Sequence, residues 1–334
     1  MIKIYNEGCE KDAESLVRHM NSMKEGHIES NAPTDGTSGS HAHGVSDRCR
    51  GATLDKPGTQ KWEDAASSSR IRVHNESCLK TLTRLADQSV DCVVTSPPYG
   101  GAIHNGFWIL GGKGNPETRN VYDVHDDTVD IEKYNALCVN LFRGLYRVLK
   151  DTGVVCWNVS YTKANPEGFI FALYKILTET KFRIADVRIW KKPMAVTIDH
   201  PNRCTRNTEF VFILCKDVGF ENFYCAKELS SICEAQNGRK KYKALFTLFE
   251  AKNNDGHNDL NGATFSTEFA QEMLRYYCPK GGLVYDPFMG TGTTANACKN
   301  MNLDCIGSEI SEAQCDYAKK RMDDMFCTCE VVKS

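Results

Sequence analysis

Residues Leu283 to Thr294, Leu-Val-Tyr-Asp-Pro-Phe-Met-Gly-Thr-Gly-Thr-Thr, restrict the possible fold more than any other stretch of the chain. Leu283, Val284 and Tyr285 read as a short strand, Gly290 and Gly292 as a tight turn, and Thr293 onward as the start of a helix. Strand, glycine turn and helix N-terminus make a nucleotide-type cradle, in which glycine lets the backbone approach a ligand. The third glycine of the dinucleotide fingerprint is missing. A second short strand, Leu303 to Gly307, leads to Glu309 about 20 residues on, where such folds place an acid for ribose hydroxyls. Open, mostly parallel sheets use this device, so the expected class is α/β and doubly wound.

A second stretch carries chemistry. Val90-Asp91-Cys92-Val93-Val94 has four β-favouring residues in five positions and reads as a buried strand, which Pro97-Pro98 stops abruptly. At the strand's carboxyl end, the Ser96 hydroxyl, the Pro97 carbonyl and the Tyr99 ring project into the crevice where such sheets bind ligands. That set suits a flat ring bearing an amine. The amine of a nucleobase is a poor nucleophile because its lone pair is delocalised into the ring. Ser96 Oγ and the Pro97 carbonyl can both accept from its N–H groups and favour a pyramidal nitrogen, while Tyr99 stacks on the base. In isolation Ser-Pro-Pro-Tyr reads more simply as a rigid turn; the cradle further along changes that.

Together the two stretches resemble the β-group of S-adenosylmethionine-dependent DNA amino-methyltransferases, whose catalytic motif precedes the cofactor motif. The resemblance covers roughly residues 71 to 322. It implies a circularly permuted, mostly parallel seven-stranded Rossmann-like sheet, S-adenosylmethionine as cofactor, DNA as partner, and Ser96, Pro97, Pro98 and Tyr99 as catalytic residues. By the same resemblance, Ser77, Cys78, Thr264, Phe265, Ser266, Asp286, Phe288, Gly290, Gly292, Thr293 and Glu309 would hold the cofactor. S-adenosylmethionine has no phosphate, so the helix end after Gly292 would face its carboxylate. The family usually has Gly-Asp-Cys where Glu76-Ser77-Cys78 stands here, leaving the adenine contact to Ser77 or Glu76. A head Ser, as at Ser96, is commoner in cytosine-N4 enzymes and Asp or Asn in adenine-N6 enzymes. The implied reaction is therefore methylation of a flipped-out cytosine at N4. Adenine-N6 methylation, RNA methylation and an inactive nucleic-acid-binding relic are the alternatives. Cofactor and base must meet, so the strand ending at Asp286 should lie beside the one ending at Ser96. The strand at 71–74 should lie beyond the one carrying Glu309.

Composition narrows the setting. At 334 residues, burying a large core is no obstacle. Net charge is −2, so DNA contacts must come from a local patch. Between Lys181 and Lys243 there are thirteen Lys and Arg against seven Asp and Glu. Lys191, Lys192, Arg203, Arg206, Arg239, Lys240 and Lys241 there, with Lys113 and Arg119 before them, are candidates for phosphate contacts; solvated surface charge is the plainer account. Sixteen cysteines form no Cys-x-x-Cys, and several lie in apolar strands, favouring a reduced intracellular protein. That means cytoplasm in a bacterial or viral setting and nucleus in a eukaryotic one. No signal-peptide core or membrane span is expected. His41 and His43 lack ligand-spaced partners, so no metal is expected. Oligomeric state, monomer or homodimer, is not readable.

Along the chain, residues 1–29 form an extension with a short helix around 13–23, and 30–70 read as a polar, disordered linker. The catalytic domain spans 71–330: a strand at 71–74, a helix from Cys78 to Leu85, and the catalytic strand. A loop to Asp130 follows, long enough to suggest a flap, with His104, Phe107 and Trp108 as base-pocket candidates. Helices are expected at Ile131 to Lys150, Asn165 to Thr180, Glu268 to Tyr277, and from the capping box Ser311-Glu312-Ala313-Gln314 to about Met325. Further strands are expected at Gly153 to Trp157, then Phe182 to Trp190 and Thr208 to Cys215 as an antiparallel edge pair. Residues 217–262 would hold a small target-recognition insert.

Overall fold

The computed structural model describes residues 69–98, 131–161, 166–195, 201–202, 204–228, 242–256, 264–322 and 327–333. The expected N-terminal helix, nearly all of the linker, the flap with Tyr99, and parts of the recognition insert lie outside the described residues.

The apolar run at 90–94 forms β2, Val90–Thr95, whose six residues are all buried. It is flanked by β3, Leu149–Val159, and by β7, Leu283–Asp286, both parallel to it. The remaining strands are β1, Ser69–Asn75; β4, Phe182–Lys191; β5, Thr208–Lys216; β6, Leu248–Glu250; β8, Asp304–Ser308; and β9, Cys327–Lys333. They form one sheet in the order β6-β4-β5-β3-β2-β7-β8-β1-β9. Only the pairings of β5, with β3 and β4, are antiparallel. The expected neighbours are therefore present: β7 beside β2, and β1 beyond β8. Crossing directly from β2 to β7, which are distant in sequence, is the permuted order that the motif sequence implied.

Among the described residues, six α-helices cover the two faces, as in a doubly wound sheet. On one face lie α1, Cys78–Arg84; α2, Ile131–Val148; and α3, Gly168–Glu179. On the other lie α4, Thr267–Tyr277; α5, Thr293–Asn300; and α6, Glu312–Met322. In α2, Tyr134, Cys138, Leu141, Phe142, Leu145 and Val148 recur at helical spacing and are buried. Phe142 meets Trp157 of β3 edge-on at 5.1 Å and Phe182 of β4 at 5.0 Å.

Several boundaries differ from the sequence expectation. The sheet has nine strands rather than seven, because β6 and β9 extend its two edges. The pair β4 and β5 is consequently one strand in from the edge. β1 begins at Ser69, inside the expected linker, because Ser69 pairs with Cys327 of β9. α2 stops at Val148 because the carbonyls of Arg147 and Val148 accept from the N–H groups of Gln88 and Ser89, leading the chain directly into β3. α3 begins at Gly168 after Glu167, two residues beyond Pro166, with no side-chain cap. Buried Cys78, Cys92, Cys138, Cys156, Cys215, Cys298 and Cys305 are free thiols and act as small apolar side chains.

Candidate active site at the carboxyl ends of the central strands

Asp286 ends β7 and is 1 % exposed. Its Oδ1 accepts from the Thr95 hydroxyl at 2.6 Å and the Phe288 N–H at 3.0 Å, and its Oδ2 from the Thr294 hydroxyl at 2.6 Å. Burial pushes the carboxyl up to about 6, against the pull of these three bonds. Both oxygens are engaged by protein groups. Asp286 thus clasps the end of β2, its own strand and the first turn of α5, joining Thr95 to a residue 191 positions away.

The glycine turn that follows is shaped by close packing. Gly292 caps α5 with φ +83° and makes no side-chain cap bond, and a Cβ there would sit 2.9 Å from Ala318 Cβ of α6. Gly290, at φ +54°, donates its N–H to Glu309 Oε2 at 2.8 Å. Glu309 Oε1 accepts from the Ser311 N–H at 2.9 Å, and burial raises this carboxyl as well. Each carboxylate oxygen has a further lone pair, so hydroxyl donors can still be accepted. Asn75 Nδ2 donates to the carbonyls of Glu309 and Ile310, both at 3.1 Å, presenting a 40 % exposed Ile310 side chain next to the acid. Sequence reasoning passed over Asn75 and Ile310; the apolar residue directly after the strand-end acid was the available signal.

The remaining cofactor candidates divide. Ser77 caps α1, its hydroxyl accepting from the Leu79 N–H, and is exposed. Cys78 is buried, with its thiol pushed up to about 11 by burial and its carbonyl accepting from the Tyr285 hydroxyl at 3.4 Å. Glu76, the other expected adenine contact, is turned toward α1: Thr81 donates to it at 3.1 Å, and Lys80 and Arg84 pair with it. That corrects the idea that Glu76 reaches into the cradle. Ser266 caps α4 and is buried, Phe265 packs at 4.9 Å from Phe269, and Thr264 is half-buried. Thr293 accepts from Arg321 at 3.4 Å. Arg321 also pairs with Asp255, whose Oδ2 accepts from the Thr267 hydroxyl at 2.5 Å. Burial alone would raise the Asp255 carboxyl, but the Thr267 and Arg321 donors hold it below its usual range. This tie between α4, α5 and α6 was not visible in the sequence.

Ser96 follows β2 half-buried, Pro97 is buried and Pro98 half-buried. On the side away from β7, Thr95 pairs with Trp157 of β3, which makes Asn158 the next residue in register beside Ser96. The cationic candidates on the same edge are already partnered. Lys191 Nζ lies 2.9 Å from Glu250, and Lys192 pairs with Glu209 while lying 4.7 Å from the Trp190 ring. Arg206 donates to the Tyr161 carbonyl at 2.5 Å and lies over its ring. Lys113, Arg119, Arg203, Arg239, Lys240 and Lys241 lie outside the described residues.

Known proteins resemble this chain in sequence and in fold. The chain is similar to the Type II methyltransferase M.SmaI of Serratia marcescens, 29% identical over 273 residues, covering 71% of this chain and 86% of that protein. It is also similar to the Type II methyltransferase M.Cfr9I of Citrobacter freundii, 25% identical and covering 73% of this chain and 85% of that protein. In fold it matches the PvuII DNA methyltransferase (cytosine-N4-specific) with a TM-score of 0.54 at 15% identity, over 78% of this chain and 89% of that one. The DNA methylase family of N6 and N4 methyltransferases matches residues 90–320, from the start of β2 through the glycine cradle into the last helix, and the chain belongs to that family.

Proposed function

We propose that the protein transfers a methyl group from S-adenosylmethionine to the N4 amine of a cytosine flipped out of duplex DNA. The observation that carries this reading is the pairing of β2 with β7, Cys92 to Val284 and Val93 to Tyr285, clasped by Thr95 and Asp286. It supports the reading by setting the strand that leads to Ser96 directly beside the strand that leads into the glycine turn. The residues present fit the cofactor: uncapped N–H groups at the start of α5 suit a carboxylate, Glu309 suits ribose hydroxyls, and Ser77 and Ile310 are exposed and open to an adenine. When bound, the cofactor supplies a methyl group made electrophilic by its sulfonium. The protein's part is positioning. Ser96 Oγ and the Pro97 carbonyl accept from the amine and direct its lone pair, Tyr99 stacks on the ring, and the proton leaves afterwards through Ser96 to water. Flipping the base is unfavourable by a few kcal/mol, which binding must offset.

The choice of cytosine over adenine rests on Ser96 at the head of the motif. Residues 217–262 serve target recognition and 71–330 form the catalytic domain. The test is mass spectrometry of nucleosides from unmethylated duplex DNA incubated with the protein and isotope-labelled cofactor. Labelled N4-methylcytosine is expected. Labelled N6-methyladenine would discard the base assignment and keep the site, and no label on DNA would overturn the reading. Ser96→Ala should lower the transfer rate by about 100-fold or more while calorimetry shows cofactor binding little changed. Undiminished transfer would remove Ser96 from the mechanism.

A further inference from the structure

Asn158 is the second-last residue of β3 and is 2 % exposed. It stands beside Ser96 across the β2–β3 pairing, on the side of β2 opposite β7 and the glycine cradle. Alternation along β3 turns it to the face of Val154 and Cys156, the same face of the sheet that carries α4. Its Nδ2 donates to Glu209 Oε2 at 2.9 Å. A carboxylate only accepts, so this bond settles which way the amide points and leaves Oδ1 facing elsewhere. Glu209 of β5 is itself held by Lys192, just past the end of β4. Three neighbouring chain segments therefore cooperate to aim one carbonyl oxygen. That oxygen is buried and has no hydrogen-bond partner among the described residues.

An acceptor left buried and unpaired is unfavourable by about 1–3 kcal/mol, so its orientation calls for a donor that the described residues do not provide. The ligand on this side of Ser96 is the base, because the cradle lies across β2. We infer that Asn158 belongs to the target-base pocket, its Oδ1 accepting an N–H from the flipped base and thereby selecting an amino-bearing ring over a keto-bearing one. This rests on the DNA-amine reading above. A keto oxygen at the same ring position would set two acceptors against each other. Glu209 and Lys192 act through Asn158 as positioning residues.

The test compares binding of two duplexes in the presence of S-adenosylhomocysteine, at the site found by methylation mapping. One carries the methylatable base and the other its keto counterpart, uracil for cytosine or hypoxanthine for adenine. Wild-type protein should prefer the amine by about tenfold or more. Asn158→Leu, which roughly keeps the volume and removes both the acceptor and the donor to Glu209, should cut that preference to below about threefold, with cofactor affinity unchanged. Glu209→Gln, which preserves packing but lets the amide turn over, should shift the preference in the same direction. If Asn158→Leu retains the wild-type preference, the inference fails. It fails too if cofactor affinity drops about tenfold while the preference stays, since the oxygen would then face the cofactor. A wild-type protein that labels no DNA base in the nucleoside analysis overturns the underlying reading, and this inference with it.

Discussion

The two acids of the cradle show how differently single residues can be read. Glu309 was recognisable from its place after a short strand, about 20 residues beyond the turn, because backbone geometry dictates where that strand ends. Asp286 was recognisable as a motif residue, but its three donors come from Thr95, Phe288 and Thr294, and no spacing rule joins Thr95 to it. Its titration gives a prediction. With a folded pKa of about 6, above the ordinary carboxylate value, the fold prefers the protonated form. The associated stability is fully present below about pH 4 and is lost as pH rises through about 6, a change on the order of 3 kcal/mol. Asp286→Asn keeps Oδ1 for Thr95 and Phe288 and can donate from Nδ2 to Thr294, so it should remove this dependence. Urea unfolding at about pH 4.5 and about pH 8 should show the wild type losing stability relative to the variant as pH rises. A constant difference between the two proteins would mean that the carboxyl is not held raised.

At the scale of elements, short motifs were the most legible and sheet edges the least. The turn at Gly292 follows from sequence alone, since a left-handed residue between strand and helix calls for glycine. That Gly292 also lies against Ala318 follows only from the packing of α6 on α5. Gly292→Ala meets both obstacles and should destabilise the protein by about 2 kcal/mol or more in urea unfolding, with weaker cofactor binding. An unchanged midpoint would show that the turn adapts freely. β9, Cys-Thr-Cys-Glu-Val-Val-Lys, escaped notice because so short a segment past the last motif carries no flanking turn signal, yet all seven residues pair with β1. Deleting residues 327–334 would leave β1 as an open edge and should lower stability by on the order of several kcal/mol, measured by thermal unfolding. α2 is the opposite case: the helix was readable from its sequence, whereas the packing of its Phe142 on Trp157 and Phe182 was not.

For the whole molecule, a net charge of −2 makes DNA affinity depend on local cations. Counting charges treated Lys191 and Lys192 as available, whereas Glu250 and Glu209 partner them. Lys191→Ala should therefore change the slope of log Kd against log salt by well under one, while replacing Arg239, Lys240 and Lys241 together should reduce it by about two to three. A full unit lost with Lys191→Ala would put that side chain on a phosphate. Sequence by itself determined the local pieces: a buried strand ending in Ser-Pro-Pro, a glycine turn opening a helix, an acid after the next strand, and the alternation that makes a doubly wound sheet. Each depends on the conformational preferences of neighbouring residues. Only the tertiary structure decided that Asp286 clasps Thr95, that Glu76 turns to α1, and that Glu209 aims Asn158 beside Ser96. The Asp286 and Asn158 contacts are matters of register between strands distant in the chain, where a one-residue slip, invisible to any local pattern, would send each side chain to the opposite face, whereas Glu76 meets its partners on the helix that directly follows it.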